Sequence, residues 1–93
     1  MRRVLYGDVT AAARALLRVE PAARRPLLLR LFAEAETADA HRLRTGRAHP
    51  LFGTGSLMSA ALAHPVAREP CLDDPTYAAC MAEVFEALVA RAR

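Results

Sequence analysis

Lysine, asparagine, glutamine, isoleucine and tryptophan are all missing from these 93 residues. Without lysine there is no catalytic amine, no Schiff base and no P-loop, whose lysine must reach the phosphates. Cysteine is nearly missing: Cys71 and Cys80 are too few and too far apart for a metal knuckle or a CxxC redox pair. Long hydrophobic runs are missing too. The opening MRRVLYGDVTAAARALL starts basic, but Asp8 and Arg14 interrupt any export-signal stretch. Residues 48–67 carry no charged acid or arginine, yet Pro50, Gly53, Gly55, His64 and Pro65 exclude a membrane span. The expectation is a cytoplasmic protein with no membrane contact. No stretch alternates apolar and polar residues as a strand would, and no repeat recurs, so β architectures are excluded.

What is present is alanine, leucine and arginine. The hydrophobic fraction is 54%, but alanine removes little area from water, so the larger side chains must hold the core. The length suits one domain over residues 1–93, since a second would be too small to bury its own core. Periodicity and punctuation predict an all-α fold, a compact bundle of about four helices. Helix 1 starts with Asp8 or Thr10 as cap and ends before Glu20-Pro21. Helix 2 is long and central, from Pro21 or Ala22 to Arg44; either it begins near Arg25, or Pro21 begins it and Pro26 kinks it. Gly46 is its left-handed C-terminal stop. A short helix 3 runs from Leu57 to about His64 behind a Thr54 or Ser56 cap. Residues 65–75 read as an extended connection. Asp74-Pro75 then starts a C-terminal helix with Tyr77, Met81, Val84, Phe85 and Leu88 on its apolar side.

Leu27, Leu28, Leu29, Leu31 and Phe32 surround the helix 2 axis almost completely. Such all-round apolarity marks either the centre of a domain or an oligomer contact, which makes Leu28, Leu29 and Phe32 candidate interface residues.

The charge is uneven. All thirteen basic residues are Arg, and the formal net charge is +3. Residues 1–30 hold seven arginines against Asp8 and Glu20, whereas residues 31–93 hold six against eight acids. Arg2, Arg3, Arg14, Arg18, Arg24 and Arg25 are therefore candidate phosphate contacts, with Arg14 and Arg18 one helical turn apart. The competing reading makes arginine the ordinary solubilising residue of a GC-rich genome. A second candidate is the loop RAHPLFGTGS. Glycines that lead into a helix start can cradle an anion with their amides, which singles out Arg47, His49, Gly53, Gly55 and Ser56. The competing reading is two tight turns and a cap.

Catalytic constellations do not assemble. His41, His49 and His64 lie in three segments without ligand spacing, so no metal site and no cofactor is expected. Ser56, Ser59, Cys71 and Cys80 lack the neighbours of an activated nucleophile, and GTGSL is not a nucleophile elbow, which needs a preceding strand. Glu34, Glu36 and Asp39 read as a solvated helix face, with Arg42 three residues beyond Asp39.

The stretch HRLRTGRAHPLFGTGSLMSAAL, together with MRRVLYGD, resembles a group of short uncharacterised proteins of α-proteobacteria along the whole chain. The resemblance implies a bacterial cytoplasmic protein and carries over no activity. In size and helicity, though by no motif, the chain is also similar to small terminase subunits of phages and gene transfer agents. Two functions are expected from these readings. The first is a non-enzymatic helical adaptor or regulatory module that binds a protein partner or itself. The alternative is a nucleic-acid-associated protein using the N-terminal arginines.

Overall fold

Alanine dictates the centre of the molecule. The computed structural model describes residues 1–93 and contains four helices: α1 (Tyr6–Leu16), α2 (Pro21–Thr45), α3 (Leu57–Leu62) and α4 (Pro75–Arg91). Ala11, Ala12, Ala13 and Ala15 of α1 are all buried. Side chains this small let other helices approach closely, and α2, α3 and α4 all pack against α1. The helix at the centre is thus the short α1, with the longer α2 lying along its side. Val9, Leu16, Leu28, Leu31, Phe32, Leu57, Tyr77, Cys80 and Val84 fill the space between them. Each fully buried large side chain contributes about 1.5–3 kcal/mol.

The helix boundaries follow local chemistry, with one departure from expectation. Helix α1 begins two residues before Asp8, behind Leu5. Asp8 is not the cap itself; its Oδ2 reaches back to accept the Leu5 amide at 2.8 Å. From the third helical position it thus satisfies the amide of the cap residue itself, not an amide further into the first turn as a cap side chain would. Pro21 opens α2, and Pro26 stays inside it. Pro26 cannot donate to the carbonyl of Ala22, and both residues are exposed, so solvent can serve that carbonyl. Gly46 ends α2 in the left-handed region at φ 73°, as expected of that stop. Ser56 caps α3 by accepting the Ser59 amide, and Asp74 caps α4 by accepting the Tyr77 amide. Helix α3 stops at Leu62, a little short of the His64 expected.

The connection from α3 to α4 is pinned to α1. Arg14 Nε donates to the Ala67 carbonyl at 2.8 Å, and the Ala67 amide donates to the Arg14 carbonyl at 3.0 Å. The radius of gyration is 12.8 Å, close to the compact value of about 13 Å for a domain near this length.

Candidate functional site

The first eight residues and the loop after α2 form one polar clasp. The loop turns on itself through a paired backbone contact: the His49 amide donates to the Gly53 carbonyl at 2.7 Å, and the Gly53 amide returns to the His49 carbonyl at 3.1 Å. His49 Nδ1 accepts the Leu51 and Phe52 amides, both at 3.1 Å, so the ring proton sits on Nε2. Its ring stacks on Phe52 with centroids 4.7 Å apart. Ser59 Oγ accepts the Thr54 amide at 3.1 Å and donates to the Ser56 carbonyl at 3.0 Å. Gly53 and Gly55 hold positive φ angles of 85° and 97°. Gly55 is also buried, and a Cβ there would stand 2.7 Å from Asp39 Cα.

The N-terminal segment closes on this loop. The Arg2 amide donates to the Gly55 carbonyl at 2.8 Å. Buried Asp8 accepts the Met58 amide on Oδ1 at 2.8 Å while its other oxygen holds Leu5. The Met1 ammonium lies 2.9 Å from Glu36 and 3.3 Å from Asp39. The hydrogen bond from that ammonium, helped by Arg91 and opposed by partial burial, lowers the Glu36 carboxyl below its usual 4.5. Arg42, followed by the ammonium, holds Asp39 below 3.8 against the opposing effect of burial.

This geometry answers the two charged readings of the sequence. Arg2 and Arg3 do meet Ser56, in a cleft of about 300 Å³ that Leu5, Gly7, Asp8 and Met58 also line. However, four amides of this loop and of the α3 start already have acceptors: Gly53 on His49, Thr54 on Ser59, Met58 on Asp8 and Ser59 on Ser56. The Asp8 carboxylate stands where the anion would be. Arg47 is exposed beside the C-terminal stop of α2 and lines neither cleft. Gly53, Gly55, Ser56 and His49 thus serve loop closure and the α3 cap.

The basic cluster divides as well. Arg14 is tied to Ala67, and Arg24 Nε donates to the Leu16 carbonyl at 3.3 Å, closing the C-terminal end of α1. Arg14 therefore does not pair with Arg18 on an open face. Arg18 stays exposed and lines a second cleft of about 300 Å³ with Ala15, Val19, Leu27, Arg30, His64 and Pro65. Arg25 is exposed. Arg2 and Arg3 sit at the start of α1 and Arg18 just beyond its end, an axial span of about 16 Å for eleven residues.

The remaining reactive groups lie outside the clasp. His64 Nε2 lies 2.6 Å from Glu34 Oε1, and Arg30 Nε bonds the other oxygen of that buried carboxylate at 3.2 Å. Sequence spacing gave no sign of this pair, since thirty residues separate its members. Cys80 is buried, and desolvation pushes its thiol up, away from the thiolate. Cys71 is exposed and free. Desolvation also raises the buried Tyr77 phenol, with Glu69 adding to the effect.

Apolar side chains supply the open surface. Leu28 and Phe32 face the core at 0% and 2% exposure, so neither can be an interface residue; their neighbour Leu29 is 49% exposed. Phe85 was expected on the inner side of the last helix, yet it is 49% exposed, and Val89 one turn later is 54% exposed. Tyr77, Cys80, Met81, Val84 and Ala87 form the buried side of α4. At 100° per residue Phe85 falls just past the edge of that arc and Val89 beyond it. The outer side of α4 carries Ala78, Ala82, Phe85 and Val89, all exposed. The outer side of α2 similarly carries Leu29, Ala33, Ala40 and Leu43.

No curated protein and no solved structure matches the chain. No helix is long and apolar enough to cross a membrane. A family model does match residues 2–88, nearly the whole chain, and the protein thereby belongs to the family described as Domain of unknown function (DUF7742).

Proposed function

We propose that the protein is a non-enzymatic helical adaptor that binds another polypeptide through the outward faces of α4 and α2. One observation carries this reading: Phe85 and Val89, one turn apart, each expose about half their surface on a helix whose opposite side is core. A single exposed leucine is ordinary, but a contiguous stripe marks a contact surface. The reading is supported further by the amides, carboxylates and histidines of the clasp, which are engaged with one another. In this reading the working compartment is the bacterial cytoplasm of the α-proteobacterial proteins the chain resembles, a reducing setting in which Cys71 and Cys80 stay free.

A photo-crosslinking amino acid placed at Phe85, at Leu29 and, as control, at Arg68 tests it in expressing cells. Polypeptide adducts are expected from the first two positions and none from the third. Equal adducts from all three, or none, would overturn it.

A nucleic-acid reading retains the exposed Arg2, Arg3, Arg18 and Arg25. These side chains offer two separated contacts rather than one patch. If nucleic acid is the partner, binding to an arbitrary duplex falls steeply with salt, and Arg2→Ala with Arg18→Ala reduces that slope.

A further inference from the structure

We infer that the outward stripe of α4 is a self-pairing seam, on which α4 of a second copy lies antiparallel. The inference rests on the reading of α4 as an interaction face and names its occupant. Ala78, Ala82, Phe85 and Val89 recur at intervals of four, three and four, the seam spacing of paired helices. On the helix circumference they fall within about 60° of one another. All four are exposed, and none belongs to the buried side of α4.

The order of sizes fixes the direction. The two small residues come first and the two large ones last. A parallel pair would stack Phe85 on the partner's Phe85 and leave alanine facing alanine across a gap at two layers. An antiparallel pair centred between Glu83 and Val84 sets Phe85 against the partner's Ala82 and Val89 against the partner's Ala78. Every layer then holds one large and one small side chain, the arrangement that lets facing rows interdigitate. Two-fold symmetry repeats each of these contacts once more.

Charge agrees with the same register. Asp74, at the start of α4, comes opposite the partner's Arg93, and the contact occurs twice. Asp74 uses Oδ1 to cap the Tyr77 amide at 3.0 Å, and its other oxygen bonds nothing within the chain. Arg93 is exposed and has no ion-pair partner. Arg91, by contrast, lies over the Phe32 ring and pairs with Glu36, so it belongs to the monomer. Antiparallel packing also sets opposite helix-dipole ends side by side. The outer stripe of α2 is a poorer seam, because Glu36 interrupts it and is already bound to the Met1 ammonium and Arg91.

A seventeen-residue helix is about 25 Å long and presents less than the roughly 800 Å² per partner of a standard interface. The pair is therefore reversible and concentration-dependent.

Sedimentation velocity of the full chain over a wide concentration range is the test. A shift from monomer to dimer is expected, and Phe85→Glu or Val89→Glu should raise the dissociation constant roughly tenfold or more. Unchanged circular dichroism would show that these variants still fold. The register is read by mixing chains carrying Ala78→Cys with chains carrying Val89→Cys, both with Cys71→Ser, under mild oxidation. The mixture should form a disulfide that neither chain forms alone. A dimer cross-linked only between two Ala78→Cys chains would overturn the antiparallel register. A monomer at every concentration overturns self-pairing; if crosslinks from position 85 to other polypeptides persist in cells, the adaptor reading survives that result, and without them it falls too.

Discussion

The clasp between residues 1–8 and the loop after α2, and the outer face of α4, distribute polar and apolar groups in opposite senses. In the clasp a buried carboxylate, a half-buried histidine and a run of backbone amides point inward and bond one another. On α4, phenyl and isopropyl groups that could have been core point to solvent. Several residues that draw the eye in the sequence, Asp8, His49, Gly53 and Ser56 among them, are thus held by internal partners. The outer face of α4, open for contact, is made of plain hydrocarbon at Phe85 and Val89. Chemical conspicuousness and availability are thus separate properties, because a buried polar group takes the partners that folding gives it.

That contrast can be broken at either end. The largest effect is expected at Gly55, where alanine would meet both a left-handed backbone and the Asp39 main chain. Gly55→Ala should cost about 3 kcal/mol, read as a lower denaturant midpoint. Asp8→Ala comes next: it strands the Leu5 and Met58 amides and should cost about 2 kcal/mol in the same assay. Acid should loosen the clasp more gently. Glu36 and Asp39 have folded pKa values below their usual 4.5 and 3.8, so their contribution is complete above those values. It is lost as pH falls through the lower folded values. Stability should therefore decline from about pH 5 downward. Glu36→Gln should flatten part of that decline, whereas a profile unchanged by Glu36→Gln would deny the ammonium contact any energetic role. The smallest effect belongs to α4: Phe85→Ser should change monomer stability by less than about 1 kcal/mol while weakening association. A large loss of stability there would show that Phe85 is core after all.

Adjacent residues in α2 show how much of this was legible in advance. Leu28 and Leu29 are identical in type, and a run of apolar residues around them gave no way to decide which faced inward. Folding separates them completely, at 0% and 49% exposure. The helix ends were readable, because Gly46, Ser56 and Asp74 act on neighbours within four residues. The start of α1 was not, since Asp8 also serves a residue fifty positions away. Long-range partners of that kind, the His64–Glu34 contact among them, leave no spacing in the chain to detect. Phe85 was misplaced for a different reason: it lies at the edge of an apolar arc, and there periodicity alone cannot choose a side.

The bond from Asp8 to Met58 also bears on the order of folding. Helix α1 precedes the other three helices in the chain, yet its opening turn lends one carboxylate oxygen to an amide fifty residues downstream, and its flank packs against α4. The first of these four helices in chain order is consequently completed only when the last has docked. Because α1 packs against α3 and α4 across long intervening segments, refolding should be slower than in a bundle of neighbouring hairpins of equal length.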